Sequence, residues 1–226
     1  MTFTDELRKE NDDIYQLIFN HPFVQGIGKG ELPKQAVEHY IKADFEFLNA
    51  FVQVYSIALS KSTNREDMAY FHEQIQFTLY DEVQPHLNFS DYIGVRFEDL
   101  QGHPLPPSGD HYIKHMLYHA NMGSLGETLS ALLPCPWTYL EIGQELIKKY
   151  QPTKDHPFYK WIHFYAESGH ETEQMRKRLD AFAANASTEE KLRMKDAFRK
   201  SCQLELAFWE MSYTCEEWPS NKAVTQ

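Results

Sequence analysis

Apolar residues recur with a helical period from one end of the chain to the other. After Pro33, a favoured first-turn residue, they define one face of a long helix: Val37, Tyr40, Ile41, Phe47, Leu48, Phe51, Val52 and Tyr55. Such spacing is typical of an amphipathic α-helix, and no stretch alternates strongly enough to predict a strand. The pattern therefore predicts an all-α protein, with residues 1–226 forming a single helical-bundle domain.

Capping residues and prolines divide this pattern into separate helices. We predict a first helix from about Thr4 to Phe19, an irregular connection over residues 21–33, and a loop over residues 95–110. Pro85 should bend or end the third helix. The predicted helix starts after the first are marked, in chain order, by Pro33, Thr63 or Asn64, Ser108, Ser124, Asp155 and Ser187. Ser124 and Ser187 have the capping-box spacing S-x-x-E.

A single cysteine, Cys135, lies between Pro134 and Pro136 in the apolar run LSALLPCPWTYLEIG. A proline inside a helix removes a backbone donor and crowds the carbonyl one turn back, so the run predicts a distorted helix around this thiol. Such distortion often marks a functional position, although a lone cysteine is by default a small buried hydrophobe. Cys202 and Cys215 have no comparable context and are predicted to be packing residues.

Two carboxylates fall on helix faces that are otherwise apolar. At about 100° per residue, Asp44 lies in the middle of the long apolar face, and Glu205 lies among apolar residues of the last helix. A buried carboxylate needs compensation, which a loop cap or a buried Lys, Arg or Tyr could provide. Together with Cys135, the two favour a functional site. Aromatic residues near these faces fit a flat ligand, although they are also typical of a core: Phe47, Phe51, Tyr112, Tyr139, Tyr165 and Phe208.

Composition and charge argue against several classes of protein. The 226 residues are 42% hydrophobic, which predicts a folded chain, and 22 Lys+Arg against 33 Asp+Glu give a net charge of −11. That charge disfavours nucleic-acid and anionic-membrane partners. No stretch approaches a membrane span of about 20 apolar residues, and the segment MTFTDELRKENDD lacks the apolar core of a secretion signal. Three cysteines without C-x-x-C spacing suggest neither a disulfide framework nor a zinc site, so we expect a cytoplasmic protein.

Five segments together resemble the TenA family of thiaminase II enzymes. They are HYIKADFEF around Asp44, PPSGDHYIKHM around Tyr112, LLPCPWTYLEIG around Cys135, WIHFY ending at Tyr165 and ELAFWEMSY beginning at Glu205. The segments keep the family's order and cover nearly the whole chain. The resemblance implies an all-helical fold similar to haem oxygenase, usually assembled as a homotetramer. It also implies an active site inside the bundle that uses no metal or organic cofactor.

The resemblance further implies a reaction and roles for the residues. It implies hydrolysis of a 4-amino-2-methylpyrimidine at its 5-methylene carbon, by which thiamin loses its thiazole and aminopyrimidine loses ammonia. Either reaction gives the hydroxymethylpyrimidine used in thiamin salvage. Cys135 would be the nucleophile, Glu205 would move protons, and Asp44 would hold the 4-amino group. The other implied substrate-binding residues are Phe47, Tyr112, Tyr139, Tyr165 and Phe208.

Two other functions stay open from the sequence. Phe47 stands where many members of the family have a tyrosine, and the lost hydroxyl is compatible with a non-catalytic pyrimidine-binding or regulatory protein. His111, His115 and His119 recur every fourth residue and share one helical face, which could ligate iron in an iron or haem protein of the same fold. No E-x-x-H pair of the di-iron type accompanies them.

Overall fold

Helices make up almost all of the regular structure of the chain. The computed structural model describes residues 1–222, and within this range there is no β-strand, which confirms the all-α class. The helices are α1 (Phe3–Glu10), α2 (Asp12–Phe19), α3 (Pro22–Lys29), α4 (Lys34–Lys61), α5 (Arg65–Tyr80), α6 (Val83–Ile93), α7 (Pro107–Met122), α8 (Leu125–Leu132), α9 (Pro134–Tyr150), α10 (Tyr159–Ala166), α11 (Gly169–Asn185), α12 (Thr188–Thr214) and α13 (Pro219–Lys222), with a 3₁₀ turn at Phe97–Leu100.

The predicted first helix is two helices, because Asn11 interrupts it. The Asn11 side chain donates a hydrogen bond to Leu7 O at 2.8 Å, and its own backbone N–H reaches the last carbonyls of α1. An asparagine side chain that bonds to nearby backbone competes with helix continuation. Asn11 is itself buried, so the break lies inside the fold.

The predicted irregular connection over residues 21–33 is also wrong, because most of it forms α3. Pro22 occupies the first position of this helix, and Gly30, in the left-handed region with φ 73°, ends it. The glycines that weaken the helical pattern allow close packing instead. A Cβ added to Gly28 would lie 2.8 Å from Leu146 Cδ2 of α9.

Side-chain caps confirm three of the predicted helix starts. Asn64, Ser124 and Ser187 each accept a hydrogen bond from the backbone N–H three residues later, at 2.8, 3.2 and 3.1 Å. The third predicted helix, α5, ends before Pro85. Pro85 lies in the first turn of α6, where a proline costs no helical hydrogen bond.

Two predicted starts lie at neighbouring residues. Helix α7 begins at Pro107, a favoured first residue of a helix, rather than after Ser108. Helix α10 begins only at Tyr159, because His156 Nδ1 accepts the N–H of Phe158 at 3.1 Å and holds a turn there.

The two longest helices, α4 and α12, pack against each other and against α7 and α8 in the middle of the bundle. Tyr40 of α4 stacks on Trp209 of α12 with ring centroids 5.6 Å apart and planes 9° from parallel. The apolar face predicted for α4 is largely buried, with Leu48 and Val52 at its half-buried margin. Within residues 1–222, no helix has both the length and the apolar character that crossing a bilayer requires.

Helices α9 and α10 approach each other closely at Gly143. A Cβ added there would lie 2.5 Å from Ala166 N and 2.9 Å from Ile162 O, so α10 could not keep this position beside any larger residue. The close approach places the Tyr139 and Tyr165 rings 4.7 Å apart. Two of the predicted substrate-binding residues thus meet through helix packing.

Candidate active site

The predicted site residues come from five helices and lie inside the bundle. Seven of them are buried and Cys135 is half-buried. They are Asp44 and Phe47 on α4, Tyr112 on α7, Cys135 and Tyr139 on α9, Tyr165 on α10, and Glu205 and Phe208 on α12. The inward direction predicted for Asp44 and Glu205 is confirmed, since these side chains are 4% and 2% exposed.

The two prolines beside Cys135 mark a helix start rather than a distorted helix interior. Helix α8 ends at Leu132, and Pro134 and Pro136 occupy the first and third positions of α9. Backbone N–H groups at these positions have no acceptor within the helix, so a proline there removes no helical hydrogen bond. The predicted distortion around the thiol is thus present as a break between two helices at Leu133, whose own backbone torsions are helical. At the same junction, Ala131 O accepts a hydrogen bond from Ser201 Oγ of α12 at 2.7 Å.

Glu205 is bonded to Tyr112 and lies near the Cys135 thiol. The Tyr112 hydroxyl donates to Glu205 Oε1 at 2.8 Å, and the Glu205 carboxyl is close enough to the thiol for its charge to raise the pKa of Cys135. Burial raises the pKa of Glu205 to about 8, against the opposing effect of the Tyr112 hydrogen bond. Burial, followed by the negative charge of Glu205, raises the pKa of Cys135 well above its usual value. Near pH 7 the unliganded pair therefore holds both of its protons.

Asp44 has a buried partner that the sequence did not reveal. His86 of α6 donates from Nε2 to Asp44 Oδ2 at 2.7 Å, and both side chains are buried. The histidine ring stacks on Phe97 at 5.1 Å. A buried carboxylate predicts some partner of this kind, but nothing in the spacing of His86 and Asp44 along the chain identifies it.

Aromatic rings surround these polar groups. Phe47 lies 4.8 Å from the Tyr112 ring and 5.2 Å from the Phe208 ring, measured between centroids. The hydroxyls of Tyr40 and Tyr139 are 2.9 Å apart. Tyr40 was not predicted as a site residue, although it belongs to the apolar face of α4. The arrangement combines flat apolar walls with a few hydrogen-bonding groups, as small-molecule sites do.

A narrow cleft with a free volume of about 40 Å³ reaches Cys135 between α4, α5, α9, α10 and α11, beside Glu82 in the turn before α6. Cys135, Tyr139 and Tyr165 line it, so Cys135 and Tyr139 share a face as their spacing predicted. Five of the predicted residues do not line it. Phe47, Tyr112, Phe208 and Glu205 are joined by ring contacts and the Tyr112–Glu205 hydrogen bond, and Asp44 is bonded to His86. The predicted residues therefore form two groups, one along the cleft and one in the adjoining packed interior.

Two of the three histidines of α7 make polar contacts within the protein. His115 donates from Nε2 to Ala197 O at 3.2 Å, and burial lowers its pKa to about 4. His119 Nδ1 lies 3.7 Å from Glu127 Oε2, and His111 is exposed. Among residues 1–222, no three His, Cys, Asp or Glu side chains are grouped so that they could hold a metal ion. Within the described residues, His111, His115 and His119 thus do not form the three-residue iron site that their spacing allowed.

Known proteins resemble this chain along almost all of its length. Residues 8–215 match the model of the TENA/THI-4/PQQC family. An aminopyrimidine aminohydrolase of Staphylococcus saprophyticus is 35% identical over 221 residues, which cover 96% of each chain. The solved structure of a TenA homologue protein from P. horikoshii matches with a TM-score of 0.82 at 27% identity, covering 95% of this chain and 99% of that one. A heme oxygenase-like fold from Shewanella denitrificans matches with a TM-score of 0.70 at 13% identity, covering 93% and 92%, and confirms the predicted fold similarity.

Proposed function

The chain belongs to the TENA/THI-4/PQQC family, and we propose that it is an aminopyrimidine aminohydrolase that serves thiamin salvage. It hydrolyses 4-amino-5-aminomethyl-2-methylpyrimidine to the hydroxymethylpyrimidine and ammonia, and it releases the same pyrimidine from thiamin. The observation that carries this proposal is that the half-buried Cys135 lies near the buried Glu205 carboxyl, which is bonded to the Tyr112 hydroxyl, among aromatic rings. The 35% identity to an aminopyrimidine aminohydrolase supports the choice of substrate.

The proposed reaction begins with Cys135. Its sulfur adds to the ring carbon beside the one that carries the methylene, while the adjacent ring nitrogen gains a proton. The electron-rich ring then expels the leaving group from the methylene carbon, and water adds to that carbon. Finally the thiolate departs, the ring nitrogen returns its proton, and the aromatic ring is restored. Covalent addition thus divides one difficult displacement into easier steps.

Glu205 is the proton carrier of this proposal. It takes the proton of the thiol as the sulfur adds, passes it to the ring nitrogen, and reverses the transfer when the sulfur leaves. Its hydrogen bond with Tyr112 and its position near the thiol support this role, because a general acid–base group must come within hydrogen-bonding reach of the proton that it moves. The Tyr112 hydrogen bond orients the carboxyl.

Asp44 is the proposed anchor of the 4-amino group, and His86 holds its carboxylate in place. The aromatic side chains of Phe47, Tyr112 and Phe208 form the walls beside the ring, with Tyr139 and Tyr165 on the side of the cleft. Phe47 brings no hydroxyl to the site. We therefore propose that this position tunes the rate rather than the binding of a flat ring.

Asp44→Ala is expected to weaken binding of hydroxymethylpyrimidine by about 10-fold or more, because an amino group left unpaired in a buried site costs about 1–3 kcal/mol. Turnover should fall as well. Calorimetric titration of the variant with this product measures the loss. His86→Phe, which keeps Asp44 but removes its partner, should show a smaller loss in the same titration. Normal product binding by Asp44→Ala would contradict the anchoring role.

A product assay on the wild-type protein tests the proposed function directly. Aminopyrimidine and thiamin are supplied in parallel, and hydroxymethylpyrimidine is quantified in both reactions, with ammonia measured in the first. We expect the pyrimidine product from aminopyrimidine, and the parallel rates rank the two substrates. Binding of hydroxymethylpyrimidine without any turnover would instead favour the non-catalytic alternative, for which Phe47 is the specific observation.

We further propose that the protein works as a homotetramer in the cytoplasm. The proposal rests on the family to which the chain belongs. Light scattering of the purified protein measures the assembly. A single species near the chain mass of 26.6 kDa would contradict the tetramer.

A further inference from the structure

Glu82 is a carboxylate of the cleft that the chemistry above does not use. It lies just before α6, and its backbone N–H donates to Phe77 O at 3.2 Å. Within residues 1–222, the Glu82 side chain makes no hydrogen bond and no ion pair, whereas Asp44 is paired with His86. The cleft residues include no Lys, Arg or His. The Glu82 side chain is therefore half-buried on the cleft, and no cationic side chain lines the cleft beside it.

The charge of Glu82 reaches the reacting thiol. Glu82 lines the same cleft as Cys135, and its negative charge contributes to raising the pKa values of Cys135, Tyr55 and Tyr165. Burial, together with the charge of Asp44, raises the pKa of Glu82 to about 8. An ionised carboxylate in such a place is costly unless a positive group meets it. The chain supplies none within the cleft, so a ligand is the available source.

The two groups of site residues set the direction of a bound substrate. If the pyrimidine is held by Asp44 in the packed interior and attacked by Cys135 at its border with the cleft, the methylene substituent extends into the cleft. In aminopyrimidine this substituent is a primary alkylamine, which is protonated at neutral pH as a lysine side chain is. In the product it is a neutral hydroxyl.

We propose that Glu82 binds the ammonium group of aminopyrimidine and so distinguishes this cationic substrate from the neutral hydroxymethyl product. The inference rests on the proposed function, because it takes the ring position from it. The arriving ammonium stabilises the ionised form of Glu82, whose pKa is about 8 in the absence of a cation. The carboxylate then accepts hydrogen bonds from the ammonium, and such charge-assisted bonds are the stronger ones. Loss of the positive charge on hydrolysis removes this attraction, which favours release of the product.

Binding the protonated amine also suits the departure step. When the C–N bond breaks, its electron pair goes to nitrogen, so an ammonium leaves as neutral ammonia. An unprotonated amine would have to leave as an amide anion, a far poorer leaving group. By favouring the charged form, Glu82 keeps the amine in the state that can depart without a further proton donor.

Binding measurements on paired variants test this inference. Cys135→Ser provides a background without turnover, and Glu82→Gln is added to it, since glutamine keeps the shape of the side chain and removes its charge. Calorimetric titrations at pH 7 use aminopyrimidine and hydroxymethylpyrimidine as probes. We expect Glu82→Gln to weaken aminopyrimidine binding by about 10-fold or more, with hydroxymethylpyrimidine binding changed by less than about twofold.

Glu171→Gln is the matched control. Glu171 lines the same cleft from the first turn of α11. This variant should bind both probes as the background does. Thermal melts confirm that each variant is folded. In protein with Cys135 intact, Glu82→Gln should raise KM for aminopyrimidine more than it lowers kcat.

The outcomes separate the two proposals. Equal changes for both probes, or no change for either, would overturn the role of Glu82 while leaving the proposed function standing. If the background protein bound neither pyrimidine and the wild type hydrolysed neither substrate, the proposed function would fail, and the role of Glu82 with it. A loss confined to aminopyrimidine supports both.

Discussion

Cys135→Ser is expected to lower hydrolysis of aminopyrimidine by about 10³-fold or more, the scale seen when an enzyme loses its nucleophile. A serine hydroxyl has a similar size but adds to the ring far less readily than a thiolate, and no strong base stands beside it. Folding and binding of hydroxymethylpyrimidine should survive, since the oxygen replaces sulfur without enlarging the side chain. Steady-state assays, thermal melts and product titration measure these three properties.

Cys215→Ser controls for the effect of losing any thiol. Cys215 is half-buried, as Cys135 is, but it follows α12 and does not line the cleft. Its replacement should leave hydrolysis near the wild-type rate. Near wild-type hydrolysis by Cys135→Ser itself would show that another group attacks the substrate.

Glu205→Gln is expected to lower the rate by about 10²- to 10⁴-fold, the usual contribution of a positioned acid–base group. An amide keeps the hydrogen bond from Tyr112 but cannot carry the proton of the thiol. The wild-type pH profile should report the same group. Below pH 8 the carboxyl is protonated because its pKa is about 8, so it cannot accept the thiol proton. We expect kcat/KM to rise about tenfold per pH unit toward pH 8 and then to level off.

The rise with pH should be much smaller in Glu205→Gln, where Glu82 is the remaining site carboxyl with a pKa of about 8, and a wild-type rate that falls between pH 6 and pH 8 would contradict the assignment. Stability supplies an independent measurement. Because the pKa of Glu205 is raised on folding from its ordinary 4.5 to about 8, the folded protein loses stability as pH rises through this interval. Glu205→Gln should therefore melt at a higher temperature than the wild type at pH 8, while the two should melt alike at pH 5.

Long regular helices are the part of the fold that the sequence predicted well. Asp44 and Glu205 were expected to point inward because each lies within a helix of 27 or 28 residues, where a constant angular step gives the direction of a side chain. The same reasoning failed where the period is short or interrupted. The buried Asn11 divides the first helix. Helix α3 contains glycines, and one of them, Gly28, allows close packing against α9.

Partners across the bundle could not be predicted. Asp44 required some buried partner, yet the choice of His86 depends on how α6 crosses α4. A role for Glu82 could not be predicted from the sequence, because glutamate is common on helix surfaces. Only the structure shows that this glutamate lines the cleft. The resemblance to a family, rather than periodicity, indicated which of the many buried aromatic residues belong to the site.

The local sequence disfavours the helical backbone conformation that is found at the start of α9. A proline disfavours the helical region for the residue before it, yet Leu133, which precedes Pro134, has φ −57° and ψ −34°. Cys135, which precedes Pro136, is also helical. An isolated peptide spanning α8 and α9 would therefore extend at these two residues. The junction between α8 and α9 is held by distant segments, for example by the hydrogen bond from Ser201 of α12 to the Ala131 carbonyl. The position of the thiol therefore depends on the assembled bundle.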